Sequence, residues 1–246
     1  MYKLIILCLS LISYKCLSET IFIGHSILLP PYVIKGGGGI ETQVIQEAFA
    51  SVGVKVEFKG MRTKHSATAL DKNKVDGIVI LFRSHLELLP ENRYDSEPLL
   101  FFENAAISFK DKTITIDKLE DLAGKRIVAF YNAKHLLTKE FRKAIEAAGT
   151  TYTERPSHFT MAKLLFAERY DVIITEKRMF TYWLEHAKRE GTLPSNSINP
   201  ELSYININQS SPRKIRFKNP KLRTLFNKGL RNIKASGRYD QIISSF

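Results

Sequence analysis

The chain has 246 residues, of which 44% are hydrophobic and 25% are charged, and its formal net charge at pH 7 is +12. This length is sufficient for one large domain or for two lobes that each bury a core. The basic residues are scattered among apolar and acidic positions, so the charge favours a weak affinity for anionic surfaces and disfavours a nucleic-acid interface.

Residues 1–18 have the pattern of a secretory signal peptide. Lys3 supplies a positive charge, an apolar run covers residues 4–12, and Ser18 is a small residue before a predicted cleavage site at Glu19. The alternative, a membrane anchor, is disfavoured because the run is far shorter than the ~20 apolar residues of a spanning helix. We therefore expect export to the periplasm.

Removal of this segment would also remove both cysteines of the chain, Cys8 and Cys16. The remaining chain could then form no internal disulfide and would have no cysteine for catalysis or metal binding. A lipid anchor on Cys16 is disfavoured because Tyr14 and Lys15 are bulkier than the small residues that precede such a cysteine. No second long apolar segment follows, so we expect a soluble mature protein.

Predicted strands and helices alternate in the first half of the chain. Apolar residues recur at helical spacing from Ile40 to Val52, and Gly53 ends this predicted helix. The glycines at residues 36–39 suggest a phosphate-binding loop, but they lack its Gly-Lys-Ser/Thr ending, which favours a surface turn. The predicted elements are strands at residues 20–24, 54–58 and 75–82, and helices at residues 40–52 and 64–70.

The same alternation continues in the second half. Ser157 is a favourable helix cap, and Asn219 followed by Pro220 predicts the start of the last helix. The basic segment 213–221 predicts a solvated connection before that helix. The predicted elements are strands at residues 126–131 and 171–175, an extended segment at 204–208, and helices at residues 116–122, 138–148, 157–168 and 176–189.

Two strand-helix series joined by extended segments predict an α/β fold with two lobes. Short motifs follow one another along these series: Pro30-Pro31-Tyr32, Gly39-Ile40-Glu41, residues 53–58, Lys74-Val75-Asp76-Gly77, Tyr94-Asp95-Ser96-Glu97-Pro98, Leu119-Glu120-Asp121-Leu122, Tyr170-Asp171-Val172 and Ser236-Gly237-Arg238-Tyr239. In this order the chain resembles the family 3 extracellular solute-binding proteins, typified by polar amino-acid receptors of ABC importers. Each motif alone is weak, but together they span the entire mature chain.

The resemblance implies a two-lobed, type II periplasmic-binding-protein fold in which the chain crosses twice between lobes. The crossings are expected near residues 108–110 and 205–208, which gives lobe 1 at 19–108 and 208–246 and lobe 2 at 109–207. A solute would bind between the lobes, at the carboxyl ends of parallel strands, and hinge closure would enclose it. The implied partners are a small-molecule solute and importer membrane subunits, with no cofactor, no nucleic acid and a monomeric state.

The resemblance also implies two charged ligand contacts. Amino-acid-binding members of the family hold the carboxylate with an arginine in lobe 1 and the ammonium group with an acid in lobe 2. Glu176 stands where the family places its acid, although the helix dipole alone favours an acid in a first helical turn. Leu88 stands where the family has its arginine, so we predict that Arg83 binds the carboxylate; the alternative is a surface arginine at a strand end.

Further candidates surround these two positions. The family often has a Gly-Ser-Thr type turn that offers backbone amides to an anion, and here this turn contains Asn132 and Lys134, whose ammonium group faces either the cleft or solvent. The aromatic candidates would stack on a ligand or simply pack in the core, and His25 ends the first strand. The full predicted ligand-binding set is Arg83, Glu176, Tyr32, Phe82, Tyr131, Asn132, Lys134 and His25.

These features favour a binding protein that is not an enzyme. The six histidines are dispersed without the spacing of a helical ligand pair, so no metal site is expected. One alternative is a sensing or partner-binding receptor whose cleft has changed. Another is a dehydratase on the same fold, which would need a positioned acid and base. Glu176 with Lys134 or His135 is the only pairing that the sequence offers for this chemistry.

Overall fold

The structure is a computed structural model that describes residues 20–81, 94–110, 116–147, 149–194, 201–207 and 211–246. Within these ranges the chain forms two sheets flanked by helices, which confirms the two-lobed α/β fold. The predicted signal peptide and the candidates Phe82, Arg83 and Leu88 lie outside the described residues. No helix in the described ranges is long and apolar enough to cross a bilayer.

The first sheet has the strand order β2-β1-β3-β11-β4, and β5 also pairs with β11. Strand β1 is parallel to both β2 and β3, whereas β11 runs antiparallel to its neighbours. The strands are β1 (Thr20–Ser26), β2 (Lys55–Met61), β3 (Gly77–Leu81), β4 (Tyr94–Asp95), β5 (Leu100–Phe102) and β11 (Ser211–Phe217). The helices on this sheet are α1 (Ile40–Ala50), α2 (Thr63–Asp71), α7 (Pro220–Ala235) and α8 (Arg238–Ser244).

Helices α1 and α7 pack closely on one face of this sheet. Phe49 of α1 lies 5.3 Å from Phe226 of α7 and 6.3 Å from Phe217 of β11, measured between ring centroids. Gly229 of α7 permits the close approach, because a Cβ at this position would lie 1.9 Å from the carbonyl oxygen of Ala48. As the sequence predicts, the Asn219 side chain caps α7 and Pro220 is its first residue.

The second sheet has the strand order β10-β6-β9-β7-β8. Its strands are β6 (Asn104–Phe109), β7 (Arg126–Phe130), β8 (Thr151–Arg155), β9 (Val172–Glu176) and β10 (Leu202–Asn206). The helices are α3 (Ala133–Leu136), α4 (Lys139–Ile145), α5 (His158–Phe166) and α6 (Lys177–Arg189), with a 3-10 turn at Leu119–Leu122. Strand β9 is buried along its whole length because apolar clusters cover both faces of the sheet. The Ser157 hydroxyl caps α5, as predicted.

The chain passes from the first sheet to the second at Glu103, between β5 and β6. The family resemblance predicts this passage near residues 108–110, but Ser108 and Phe109 pair with β10 in the second sheet. The apolar run across both strands is nearly continuous, so its pattern did not reveal where the chain changes sheets. The return passage lies between Asn206 and Ser211, the ends of β10 and β11.

The prediction for segment 213–221 is wrong. Residues 211–217 form β11, which pairs with β3, β4 and β5. Arg213 and Arg216 are only 5% and 7% exposed because each is paired with a carboxylate. The alternation of Ile215 and Phe217 in the core was masked by the basic residues between them.

Candidate ligand-binding cleft

A cleft of about 340 Å³ lies between the two sheets, and residues of both lobes line it. This is the volume of a small-molecule site. The carboxyl ends of β1, β3, β7 and β9 open into it, as is general for open α/β sheets. The lining residues are Gly24, His25, Ser26, Leu29, Met61, Thr63, Ser66, Val79, Leu81, Phe102, Asn104, Phe130, Tyr131, Leu136, His158, Glu176, Met179, Ser211 and Arg213.

Glu176 lines the cleft at the end of β9 and also caps helix α6. Its Oε2 accepts the Met179 amide at 2.9 Å, and its Oε1 accepts the Glu103 amide at 3.4 Å. The residue is 3% exposed. Burial raises the pKa of this carboxyl above its ordinary value, although the hydrogen bonds that it accepts act in the opposite direction. Glu176 therefore lines the cleft, and it lies at the N-cap of α6, one residue before the first turn in which the dipole argument placed it.

On the lobe 1 wall, Arg213 forms a buried ion pair with Glu41. Its Nε and Nη2 each lie 2.5 Å from Glu41 Oε2, and its guanidinium carbon is 4.9 Å from the ring centroid of Phe102. Glu41 is fully buried, and this burial raises its pKa despite the opposing charge of Arg213. Because the basic residues around Arg213 have the composition of a solvated connection, the sequence did not indicate that Arg213 lies in the cleft.

The first turn of α1 fixes the position of Glu41. Gly39 has φ 111°, and a Cβ there would lie 2.4 Å from the carbonyl oxygen of Tyr32. The amides of Ile40 and Glu41 donate to the carbonyl groups of Pro31 and Tyr32. The Gly39-Ile40-Glu41 motif therefore does more than begin a helix, because it also fixes the position of the Glu41 side chain behind the wall of the cleft.

His25 lies at the end of β1, where the sequence analysis placed it, and lines the cleft. It is 8% exposed, and its ring is 5.2 Å from that of Phe58. Its Nδ1 has no hydrogen-bond partner within the described parts of the chain. Burial, followed by the charge of Arg213, lowers the pKa of His25, so the imidazole is neutral at pH 7.

Tyr32 does not line the cleft. It is 1% exposed and packs against Phe102 at 4.6 Å between ring centroids. Its ring is therefore covered by protein, and a ligand in the cleft cannot stack on it in this conformation. Burial and then the nearby Glu176 carboxylate raise the pKa of the Tyr32 phenol. The hydroxyl has no partner at hydrogen-bonding geometry among the residues that the structure describes.

The turn after β7 brings Tyr131 into the cleft but not Asn132 or Lys134. Asn132 has φ 68° and precedes α3. The Lys134 ammonium group is 2.8 Å from Glu146 and is therefore directed to a surface ion pair. The backbone amides of Asn132 and Lys134 donate to the carboxylate of Glu154, which consequently fills this turn.

Several polar residues of the cleft were not predicted. His158 begins α5, and its Nδ1 is 2.8 Å from the Thr175 hydroxyl. Burial lowers its pKa to about 4. The predicted helix cap at Ser157 was the available indication of this position, because it makes His158 the first residue of a helix. Asn104 and Ser211 flank the two passages between the sheets and had no comparable motif.

Comparison with known sequences decides the family. The profile of the bacterial extracellular solute-binding proteins, family 3, matches residues 21–246. The chain belongs to this family. A search of curated protein sequences gives no significant match.

Solved structures of solute-binding proteins and their relatives share the fold. A Bacillus subtilis protein, YckB, has a TM-score of 0.71 at 22% identity, over 92% of this chain and 89% of its own. An ancestral cationic amino acid solute binding protein has a TM-score of 0.70 at 18% identity, over 92% and 94%. A histidine kinase sensor domain similar to periplasmic binding proteins has a TM-score of 0.66 at 17% identity, over 92% and 95%. At these identities the likeness shows the fold alone.

Proposed function

We propose that this family 3 protein is a periplasmic, monomeric receptor that captures a small amino-acid-like solute for an ABC importer. The observation that carries the proposal is the buried Glu176 carboxylate in the wall of an interlobe cleft of about 340 Å³. An amino acid of ordinary size fits such a volume. Residues 1–18, which have the signal-peptide pattern, would direct export and then be removed.

Glu176 is suited to bind the amine of the solute. Its oxygens each accept one backbone amide, and an ionised carboxylate has about four acceptor sites, so the cap leaves acceptors for a ligand. A hydrogen bond between ammonium and carboxylate is charge-assisted and stronger than a neutral one. Arg83 remains the residue that the sequence predicts to bind the solute carboxylate, because Leu88 stands where the family has its arginine.

Closure of the lobes would follow from contacts on both sides of the cleft. A ligand that contacts both lobes stabilises the closed state by its higher affinity for that state. The passages at Glu103 and between Asn206 and Ser211 are the segments about which such a hinge would turn. Lys177, the first residue of α6, connects this helix to the passage at Glu103, because its amide donates to the Glu103 carbonyl group at 3.0 Å.

A binding function is favoured over the enzymatic alternative. One structural neighbour is described as a precursor of cyclohexadienyl dehydratase, but a dehydratase needs an acid and a base that reach the same substrate. Of the two possible partners of Glu176, Lys134 is in an ion pair with Glu146, and neither Lys134 nor His135 lines the cleft. A sensor role would use the same ligand chemistry without an importer.

Isothermal titration calorimetry with the twenty standard amino acids tests the proposal. At least one should bind, and Glu176→Gln and Arg83→Ala should each weaken that binding at least tenfold, because each removes a charge-assisted contact. Lys134→Ala is the control and should bind like wild type. Wild-type binding by Arg83→Ala would refute the role of Arg83, and a complete absence of amino-acid binding would refute the function.

A further inference from the structure

We propose that Arg213 and His25 form the anion subsite of the cleft and that Glu41 is the buried counter-ion that limits its affinity. The inference rests on the proposed function, since it assigns the carboxylate of an amino-acid-like solute to this wall. It concerns residues on β11, β1 and α1, of which only His25 was predicted from the sequence as a ligand contact. Arg83, which the sequence predicts as a contact of the same carboxylate, would share it with this wall and is not varied in the test.

Arg213 is positioned before a ligand arrives. The ion pair with Glu41 and the ring of Phe102 hold its guanidinium in place, and only 5% of the residue is exposed. Nε and Nη2 are used by Glu41, whereas no hydrogen bond from Nη1 occurs within the described ranges. A guanidinium has five N–H donors in a rigid fork, so it can serve a second carboxylate without moving.

His25 supplies the second donor. Its Nδ1 is a buried polar atom without a partner in the described structure, and the residue faces the cleft. A buried nitrogen that makes no hydrogen bond costs free energy, and a ligand atom that pairs with it would remove this cost. His25 and Arg213 both line the cleft, and the guanidinium charge acts with burial to lower the pKa of this imidazole. A neutral imidazole can donate one hydrogen bond there.

The lobe 2 wall of the cleft is less suited to bind the carboxylate of the solute. In lobe 2 the amides of Asn132 and Lys134 are arranged to bind an anion, but Glu154 accepts them at 2.7 and 2.9 Å. A solute carboxylate would have to displace a side chain of the protein itself. At His25 Nδ1 no protein group takes this place within the described residues, so we assign the carboxylate to the wall that His25 and Arg213 form.

Glu41 sets the strength of this subsite. It neutralises Arg213 from a fully buried position, so the solute carboxylate meets a guanidinium whose charge is already balanced. Replacing this carboxylate by a neutral amide of the same shape should leave Arg213 free to attract an anion more strongly. A purely structural ion pair predicts no such gain.

The test uses sodium formate, the smallest carboxylate, and follows the His25 ring signals by NMR. Wild type should show a saturable shift, Glu41→Gln should bind formate at least tenfold more tightly, and His25→Phe should weaken binding when followed by the Phe58 signals. Arg213→Gln alone would leave Glu41 buried without a partner, so the informative variant is Glu41→Gln with Arg213→Gln. This double variant should lose the saturable shift.

The matched control is Asp95→Asn with Arg216→Gln, which neutralises the other buried pair of β11. Arg216 is on the opposite face of the strand and does not line the cleft, so this control should bind formate like wild type. Unchanged affinity in Glu41→Gln, or wild-type binding in the Glu41/Arg213 double variant, would overturn the proposal. If formate binds as predicted but no amino acid does, the proposed function fails and the anion subsite stands.

Discussion

The carboxylate of Glu154 accepts a hydrogen bond from the backbone amide of Lys134 at 2.9 Å, so a side chain of β8 fills the turn that follows β7. The amide of Asn132 and the hydroxyl of Tyr152 donate to the same carboxylate. Burial raises the pKa of Glu154, but these three donors outweigh it and hold the pKa below its usual value. The turn is therefore built around an internal anion.

Replacing Glu154 with glutamine should destabilise lobe 2. The two backbone amides donate to different oxygens of Glu154, and glutamine replaces one of these oxygens with an NH2 donor, so the free energy of unfolding should fall by about 1–2 kcal/mol at pH 7. Because the pKa of Glu154 is lowered in the folded state, its contribution is present above pH 4.5 and is lost as the pH falls through the folded pKa. Urea denaturation at several pH values measures both effects.

The control for this substitution is Glu185→Gln, which removes an acid from a surface pair with Lys188. Glu185→Gln should change the free energy of unfolding only slightly, as is usual for exposed ion pairs. If Glu154→Gln and Glu185→Gln have the same stability at pH 7, the anion in the turn does not contribute to folding.

Glu176 should contribute separately to stability and to binding. Glu176→Ala removes the cap of α6 and should lower the free energy of unfolding by about 0.5–2 kcal/mol, in contrast to a residue that only contacts ligand. Glu176→Gln keeps an acceptor for the Met179 amide but loses the charge, so stability should change less while amino-acid binding weakens at least tenfold. Thermal melts and calorimetry on both variants separate the two roles.

Thr138→Ala is the matched control for the cap, because the Thr138 hydroxyl caps α4 and does not line the cleft. It should lower stability by a similar amount and leave ligand affinity unchanged. Equal loss of affinity in Thr138→Ala and Glu176→Gln would mean that capping of helices, and not the charge of Glu176, governs binding.

His158 should make the protein less stable as the pH falls from about 6.5 to 4. Its pKa is lowered from 6.5 to about 4, so in this window the unfolded chain binds a proton that the folded protein does not. The contribution amounts to at most roughly 3 kcal/mol, since one pKa unit corresponds to about 1.4 kcal/mol. The free energy of unfolding of His158→Gln should depend less on pH in this range.

The exposed His65 provides the comparison. His65→Gln should retain the full pH dependence of wild type between pH 6.5 and 4. The account is contradicted if His158→Gln retains it as well, because the burial of that imidazole would then not oppose protonation.

Gly229→Ala should destabilise the contact between α1 and α7. In an exposed helix this substitution is stabilising by up to about 1 kcal/mol, but here the new Cβ would lie 1.9 Å from the Ala48 carbonyl oxygen. Overpacking of this kind costs about 1–3 kcal/mol. Lys228→Ala, at the next and exposed position, should have little effect on unfolding. An increase in stability for Gly229→Ala would contradict the packing described here.

The sequence predicted the elements whose patterns are local. The caps at Ser157 and Asn219 and the apolar runs of β3 and β9 all lie where expected to within a few residues. Strand β11 was not predicted, because arginines such as Arg213 and Arg216 are typical of a solvated loop. Both are buried here because they pair with carboxylates that are distant in sequence.

The site was less predictable than the fold for the same reason. His25, Tyr131 and Glu176 follow the ends of strands, and the structure places all three in the cleft. The contact of Glu154 with the turn at Asn132 joins two elements that share no periodicity, so no pattern in the sequence announces it. Aromatic identity alone could not distinguish buried Tyr32 from exposed Tyr131.

The central claim is that an amino-acid-like solute binds intact in the cleft beside Glu176. Native mass spectrometry of the purified protein, followed by release and identification of the bound compound, tests it most directly. Wild type should release an intact compound that has both an amine and a carboxylate, and Glu176→Gln should retain at least tenfold less of it. A cleft that stays empty with all twenty amino acids, or a compound released in chemically converted form, would contradict the account.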